Sequence, residues 1–338
     1  MSFVAVDEMR RWYGRGLDLW LARTETASRV VLERSGVKLH DYGHEENCPS
    51  LLIIPAPIKK PYIWDLMPSV SVILACRQAR FRVYVLEWTE TPPNGPNRGL
   101  AVYADELILE CAKTVDGPTI LAGHSLGATF ATIFAALHPE RVHALVLLEA
   151  PLSFSGHAGA IAELIRVGPA TEDLRKVSAY PGTVLNALSV TASPESFLWW
   201  RWRDWLLSGN DPAALRTHLL VERWTLDEYA MPSALFADVV KLYREDRFMR
   251  GTLRINGNMA MPENVTMPVL AVVDPESDVV PPSSVVPFLD ALPDRNWTLL
   301  HYEGDTGVAL RHVGVLVGRD AHRILWPEIL SWVRMSAG

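Results

Sequence analysis

From residue 51 onward, short apolar runs alternate with helix-length amphipathic stretches, and this alternation constrains the fold more than any other feature. Leu51-Leu52-Ile53-Ile54 is too uniformly apolar for a strand with one wet face, so it reads as buried on both sides. A helix over 68–79 follows, with Pro68 suited to its first turn. A strand over 82–88, a helix over 100–115, a strand over 119–122, a helix over 126–137 and a strand over 144–148 continue the cycle. Such alternation specifies a mostly parallel sheet with helices on both faces. The cycle stops near 151, gives way to helices and loops, and resumes with strands at 268–273 and 297–302 and helices near 285–292 and 320–335. One α/β domain interrupted by a helical lid accounts for this pattern. Residues 1–150 and 266–338 are its expected core and 151–265 its expected lid. Ahead of the alternation, apolar positions from Phe3 to Leu21 fall near helical spacing. Two β-type runs, 29–33 and 37–41, flank Arg34-Ser35-Gly36, a turn suited to a hairpin.

Composition narrows the function classes. With 338 residues, 49% of them hydrophobic and 21% charged, the chain can bury a large core, which excludes general disorder. Asp and Glu number 39 against 32 Lys and Arg, a net charge of −7 that argues against coating nucleic acid. No apolar run reaches the ~18 residues of a membrane span, and the first residues lack an export-signal pattern, so a cytoplasmic location is expected. Cys48, Cys76 and Cys111 include no CxxC pair, and Cys76 and Cys111 fall on helical patterns as small core residues. His40, His44, Glu45 and Cys48 cluster without matching a closed zinc pattern, so no metal is expected there. No phosphate-binding P-loop occurs.

Gly123-His124-Ser125-Leu126-Gly127 matches G-x-S-x-G, and its context gives the match weight. It follows an apolar strand and opens an alanine-rich helix, as the nucleophile elbow of an α/β-hydrolase fold requires. Side chains at 123 and 127 would collide with backbone in that crowded turn. A serine hydroxyl needs a base to take its proton and a carboxylate to orient the base. In this fold the chain order is serine, acid, histidine. His301, His312 and His322 are the histidines late enough; His312, on the loop after the last strand, is the expected base. Asp278, after strand 268–273, is the expected acid, with Asp274 and Glu276 on the same loop as alternatives. The oxyanion would be met by the N–H of Leu126 and by a second N–H near Ala56-Pro57-Ile58, where proline leaves Ile58 as the donor. Trp199, Trp200, Trp202 and Trp205 are expected to pack inside the lid, with an acyl-chain tunnel wall or a dimer contact as alternatives.

Beyond the triad the sequence resembles the polyhydroxyalkanoate synthases, most closely their shorter class III form, over most of 29–335. The resemblance is carried by Leu51 to Leu66 with its Pro-Tyr and Asp-Leu pairs, by Ala135 to Val142, and by Glu222 to Asp227. Gly251 to Gly257, Asn264 to Pro268 and Arg311 to Gly318 follow in the family's order. It implies Ser125 as nucleophile, Asp278 as acid and His312 as base. It also implies acyl transfer from a hydroxyacyl coenzyme A thioester to a hydroxyl, with no resident cofactor, dimerisation through the lid, and a partner subunit. Departures are plain. The family's nucleophile is cysteine, whereas position 125 is serine; ungapped counting from Val269 puts the family's aspartate on Ser277; Lys59 replaces an asparagine common in the oxyanion loop. A seryl acyl-enzyme is an oxoester whose transfer to another hydroxyl is nearly isoenergetic, which favours release to water or to one acceptor over polymer growth. The expected activity is therefore serine acyl transfer. An esterase or thioesterase is the alternative, and a non-catalytic relative that binds granules or a synthase is a third.

Overall fold

The computed structural model describes residues 3–18, 21, 23–43, 48–89 and 97–336. Its sheet is built from β1 (Arg29–Arg34), β2 (Val37–Asp41), β3 (Ser50–Ile54), β4 (Arg82–Trp88), β5 (Thr119–His124) and β6 (Val142–Leu148). Four short strands then lie outside it: β7 (Ala179–Tyr180), β8 (Met231–Pro232), β9 (Leu253–Ile255) and β10 (Asn258–Ala260). β11 (Val269–Val273) and β12 (Trp297–His301) return to the sheet, whose order is β1-β2-β4-β3-β5-β6-β11-β12. β1, β2 and β4 pair antiparallel; every pairing from β4 through to β12 is parallel. Gly36 closes the expected hairpin at φ +100°, a region L side chains avoid.

β3 shows why its sequence is uniformly apolar. Leu52 and Ile54 face one core and Leu51 and Ile53 face the other, and all are buried. Chain order reverses at β3, since β4 lies on one side of it and β5 on the other. That reversal opens a crevice at the carboxyl ends of β3 and β5, where α/β sheets bind ligands.

The expected helix over 68–79 is broken. A 3-10 turn at Pro68–Val70 precedes α2 (Val72–Gln78) because Ser71 is extended and caps the helix, its hydroxyl accepting from the Leu74 N–H at 3.0 Å. α1 (Phe3–Asp18), α3 (Leu107–Thr114) and α4 (Leu126–Leu137) complete the first part. After β6 the chain leaves the sheet for α5 (Ala160–Val167), α6 (Thr171–Leu174), α7 (Gly182–Ala192), α8 (Trp200–Ser208), α9 (Pro212–Thr225) and α10 (Ser233–Glu245). It re-enters at β11 and finishes with α11 (Val286–Asp290), α12 (Gly314–Val317) and α13 (Trp326–Ser336). α1 is tied to the insertion: Asp7 accepts from the Thr183 N–H at 2.9 Å, and Arg223 pairs with Asp18.

The four tryptophans are not packed inside the insertion. Trp199 and Trp202 are 67% and 64% exposed, and Trp200 and Trp205 are exposed too. Helical periodicity explains the correction. Arg201, Asp204 and Ser208 occupy the face turned toward protein partners, which puts Trp199, Trp202 and Leu206 on the opposite one. No described helix is long and apolar enough to cross a membrane. Among the described residues no three potential metal ligands cluster; His40 bonds Glu87 and Ser28, Cys48 is a free thiol, and His44 and Glu45 lie outside the described residues.

Candidate active site

Ser125 sits between β5 and α4 at φ 54° and ψ −131°, a strained conformation for a side-chain-bearing residue. Its N–H donates to the Leu148 carbonyl at 3.0 Å, and its own carbonyl accepts from Ala128 and Thr129. The flanking glycines are sterically required. A Cβ on Gly123 would lie 2.5 Å from the Ala128 Cα, and one on Gly127 only 2.2 Å from the Ile54 carbonyl oxygen. Ser125 therefore stands at the crevice between the ends of β3 and β5, exposed to a cavity whose wall also includes Ile58, His124 and His312.

His312 lies on a short turn ahead of α12, where the expected base belongs. Its Nδ1 is 2.5 Å from Oε2 of Glu149, a residue absent from the sequence reading. Glu149 directly follows β6, adopts φ 47° and has no exposed surface. Its N–H donates to the Val272 carbonyl at 2.9 Å, which anchors this left-handed residue between β6 and β11. Burial pushes the Glu149 carboxyl well above its ordinary value; nearby Asp274 adds to that rise and Arg311 opposes it. Burial pushes His312 down to about 4, against the charges of Asp274 and Asp278.

The expected acid, Asp278, is engaged elsewhere. Its two carboxylate oxygens accept from the hydroxyls of Ser193 and Ser196, both on the insertion. Asp278 still acts on His312 through space, but the hydrogen bond to Nδ1 belongs to Glu149. Asp274 is wholly buried and held by Arg311, whose Nη2 is 2.9 Å from it; Arg311 also reaches Glu276 at 2.9 Å. The physical reason is positional: the insertion supplies hydroxyl donors over Asp278, while the turn after β6 aims a longer carboxylate at the imidazole. A carboxylate immediately after strand 144–148 was the signal available in the sequence.

The two expected oxyanion donors border the site. Leu126 is the first residue of α4, and its N–H lies ahead of the helix's first hydrogen bonds, which Ala128 and Thr129 make to the Ser125 carbonyl. Ile58 lines the cavity in a turn closed by Lys59 N–H to Ala56 O at 3.2 Å. The insertion braces that turn: Tyr229 N–H donates to the Ile58 carbonyl at 3.0 Å, and Lys59 pairs with Glu228. Of the other late histidines, His301 ends β12 exposed, and His322 bonds the Leu316 carbonyl at 2.8 Å. Glu222 pairs with Arg201 inside the insertion, whereas Trp224 Nε1 donates to the Lys60 carbonyl and so ties the insertion to the loop after β3.

Comparison with known proteins bears on the family and the fold. The sequence model of the Alpha/beta hydrolase family matches residues 51–295. The chain is 24% identical to the poly(3-hydroxyalkanoate) polymerase subunit PhaC of Haloferax mediterranei, covering 91% of this chain and 64% of that one. It is also 24% identical to the subunit of the same name from Allochromatium vinosum, covering 90% and 87%. The chain thus spans less than two thirds of the Haloferax protein's length. Among solved structures, a Paleococcus ferrophilus monoacylglycerol lipase superposes with a TM-score of 0.56 at 15% identity, covering 89% of this chain and 99% of that one. The carboxylesterase CesB of Bacillus subtilis gives 0.55 at 14%, covering 97% and 98%. These two likenesses concern the fold. With its elbow, its sheet order and a family match over most of its length, the chain belongs to the alpha/beta hydrolase family, and its sequence relatives within it are polyhydroxyalkanoate synthases.

Proposed function

We propose that Ser125, His312 and Glu149 form the catalytic triad of an acyl-transfer enzyme that takes a hydroxyacyl thioester and passes the acyl group to a hydroxyl acceptor. The observation that carries this reading is the Glu149–His312 hydrogen bond beside the cavity that Ser125 shares. Ionised Glu149 accepts the Nδ1 proton of His312, which leaves Nε2 free to take the proton of the Ser125 hydroxyl. The oxygen attacks the acyl carbonyl, and the resulting oxyanion is met by the N–H groups of Leu126 and Ile58. As the carbon–sulfur bond breaks, the imidazolium returns its proton to the departing thiol. The acceptor hydroxyl then loses its proton to His312 as it attacks the seryl ester, and that proton returns to Ser125. The insertion, 151–265, serves as the lid over this chemistry. Similarity to the polymerase subunits supports an acyl thioester donor and a partner subunit; a homodimer formed through the lid is part of the same reading. Hydrolysis of esters or thioesters is the second reading, favoured by the serine nucleophile, since an oxoester intermediate gains little by transfer to another hydroxyl.

A fluorophosphonate probe is expected to label wild-type protein on Ser125. Ser125→Ala should escape labelling and release coenzyme A from hydroxybutyryl-CoA at least ~10³-fold more slowly. An ester adduct or polymer among the products supports transfer, and free hydroxyacid alone supports hydrolysis. Turnover that survives in Ser125→Ala overturns the mechanism.

A further inference from the structure

His124 precedes the nucleophile, and the triad chemistry does not use it. Its ring is buried, lies 4.6 Å from the His312 ring between centroids, and forms part of the cavity wall. Nε2 is 2.8 Å from the backbone carbonyl of His312. A carbonyl can only accept, so Nε2 must carry the ring proton. Burial pushes the His124 pKa well down, and the neighbouring His312 pushes it further, so the ring holds one proton rather than two. Nδ1 is then an obligatory acceptor. It has no protein partner among the described residues and is not one of the sealed, unpartnered polar atoms of the core.

Much of the surrounding wall is apolar, with Ile58, Ile161, Leu185, Phe197 and Leu310 contributing. Covering an acceptor lone pair with a purely aliphatic chain forfeits its hydrogen bond to water, which is costly for a buried polar group. A ligand that brings a donor recovers that bond. The attacking hydroxyl is not that donor, because its proton must go to Nε2 of His312. The amide N–H groups of a coenzyme A thioester lie on its leaving side, so within the acyl group the donor that remains is a hydroxyl of the chain itself.

We propose that His124 is a specificity-determining residue whose Nδ1 accepts a hydrogen bond from a hydroxyl on the acyl group, so that the site prefers hydroxyacyl thioesters to the same acyl thioesters without the hydroxyl. This rests on the acyl-transfer reading of the site. The glutamate on the same wall does not compete for the role: Glu228 is occupied by Lys59 and by Arg10 at 3.3 Å.

The test is a ratio. Coenzyme A release from 3-hydroxybutyryl-CoA and from butyryl-CoA is measured on the full-length protein, and the two kcat/KM values are divided, which cancels any general loss of activity. Wild type is expected to favour the hydroxyacyl substrate at least ~10-fold. His124→Phe should bring the ratio to within about 2 of unity. His124→Gln, whose amide offers both an N–H and an acceptor oxygen, should keep most of the preference. A wild-type ratio near unity overturns the proposal, as does a ratio that survives in His124→Phe. If that variant does not fold, His124→Met supplies the same readout. A wild-type protein that turns over neither thioester and is not labelled on Ser125 overturns the acyl-transfer reading and this inference with it, and that outcome is distinct from turnover without preference.

Discussion

Glu149 has no exposed surface, is bonded through one carboxylate oxygen to His312, and has no partner at the other. Ionising such a group is costly, so the folded protein holds its proton to a higher pH than the unfolded chain does. The sign follows: the stability this proton confers is complete below the ordinary carboxyl range and is lost as pH rises through the elevated folded value. Catalysis needs the other form, with Glu149 ionised and His312 neutral, and His312 stays neutral down to about 4. The acid limb of kcat/KM against pH is therefore expected above the ordinary carboxyl range, as a property of the coupled pair. Glu149→Gln should lower kcat by ~10³- to 10⁴-fold while raising Tm at pH 8 and leaving it unchanged near pH 4. Asp278→Asn should cost less than ~10-fold. Equal losses in the two variants, or activity that is flat down to pH 4, would refute Glu149 as the acid. The placement of Ser125 at the elbow and of His312 on the loop after the last strand was legible, because a local motif and chain order point to them. The Glu149–His312 contact was not, because it depends on a left-handed turn that aims the carboxylate across from β6, and on serines far along the chain that occupy Asp278.

At the scale of elements, the strand–helix alternation was readable because a strand stretch buried on both faces must be apolar, as residues 51–54 of β3 and all of β11 are. The break in the helix expected over 68–79 was not, because it depends on the Ser71 cap, whose hydroxyl also donates to Asp65 at 2.5 Å. The joint between β5 and α4 is the most demanding in the molecule. Gly127 passes so close to Ile54 and Pro55 that no side chain fits without moving β3. Gly127→Ala is expected to destabilise the protein by about 3 kcal/mol or more and to displace Ser125 from the crevice. Urea unfolding and fluorophosphonate labelling would read the two effects. A variant of wild-type stability that labels normally would mean that α4 can slide at no cost. The insertion in turn holds the loop that carries His312. Asp204 on α8 accepts from the Gly307 and Ala309 N–H groups at 2.7 and 2.8 Å and from His218, so the loop leading to His312 hangs from a helix of the insertion.

Across the whole molecule the least balanced feature is the outer surface of α8 and of the π-helical turn before it. Four tryptophans together with Leu206 and Leu207 are exposed within one short segment, while the chain as a whole carries a net charge of −7. So many exposed large apolar side chains in one segment are rare on a monomer, since each one left in water forgoes about 1.5–3 kcal/mol of burial. Helical spacing alone does not tell a packed tryptophan from an exposed one, and only the inward anchoring of Arg201 and Asp204 decides which face is left over. A second copy of the chain matches the patch in chemistry, because a two-fold contact sets the same aromatic face against itself. Such a dimer would bury the outer face of the segment whose inner face, through Phe197 and Arg201, borders the cavity that Ser125 lines, so association would steady the insertion at that cavity. Light scattering after size exclusion should therefore find wild type as a dimer at micromolar concentration and Trp199→Glu/Trp202→Glu as a monomer. Their Tm values should differ little when compared under dilute conditions, because neither side chain is part of the protomer's core. A wild type that is monomeric at tens of micromolar, or a double variant that remains dimeric, would remove the self-association argument while leaving the triad chemistry intact.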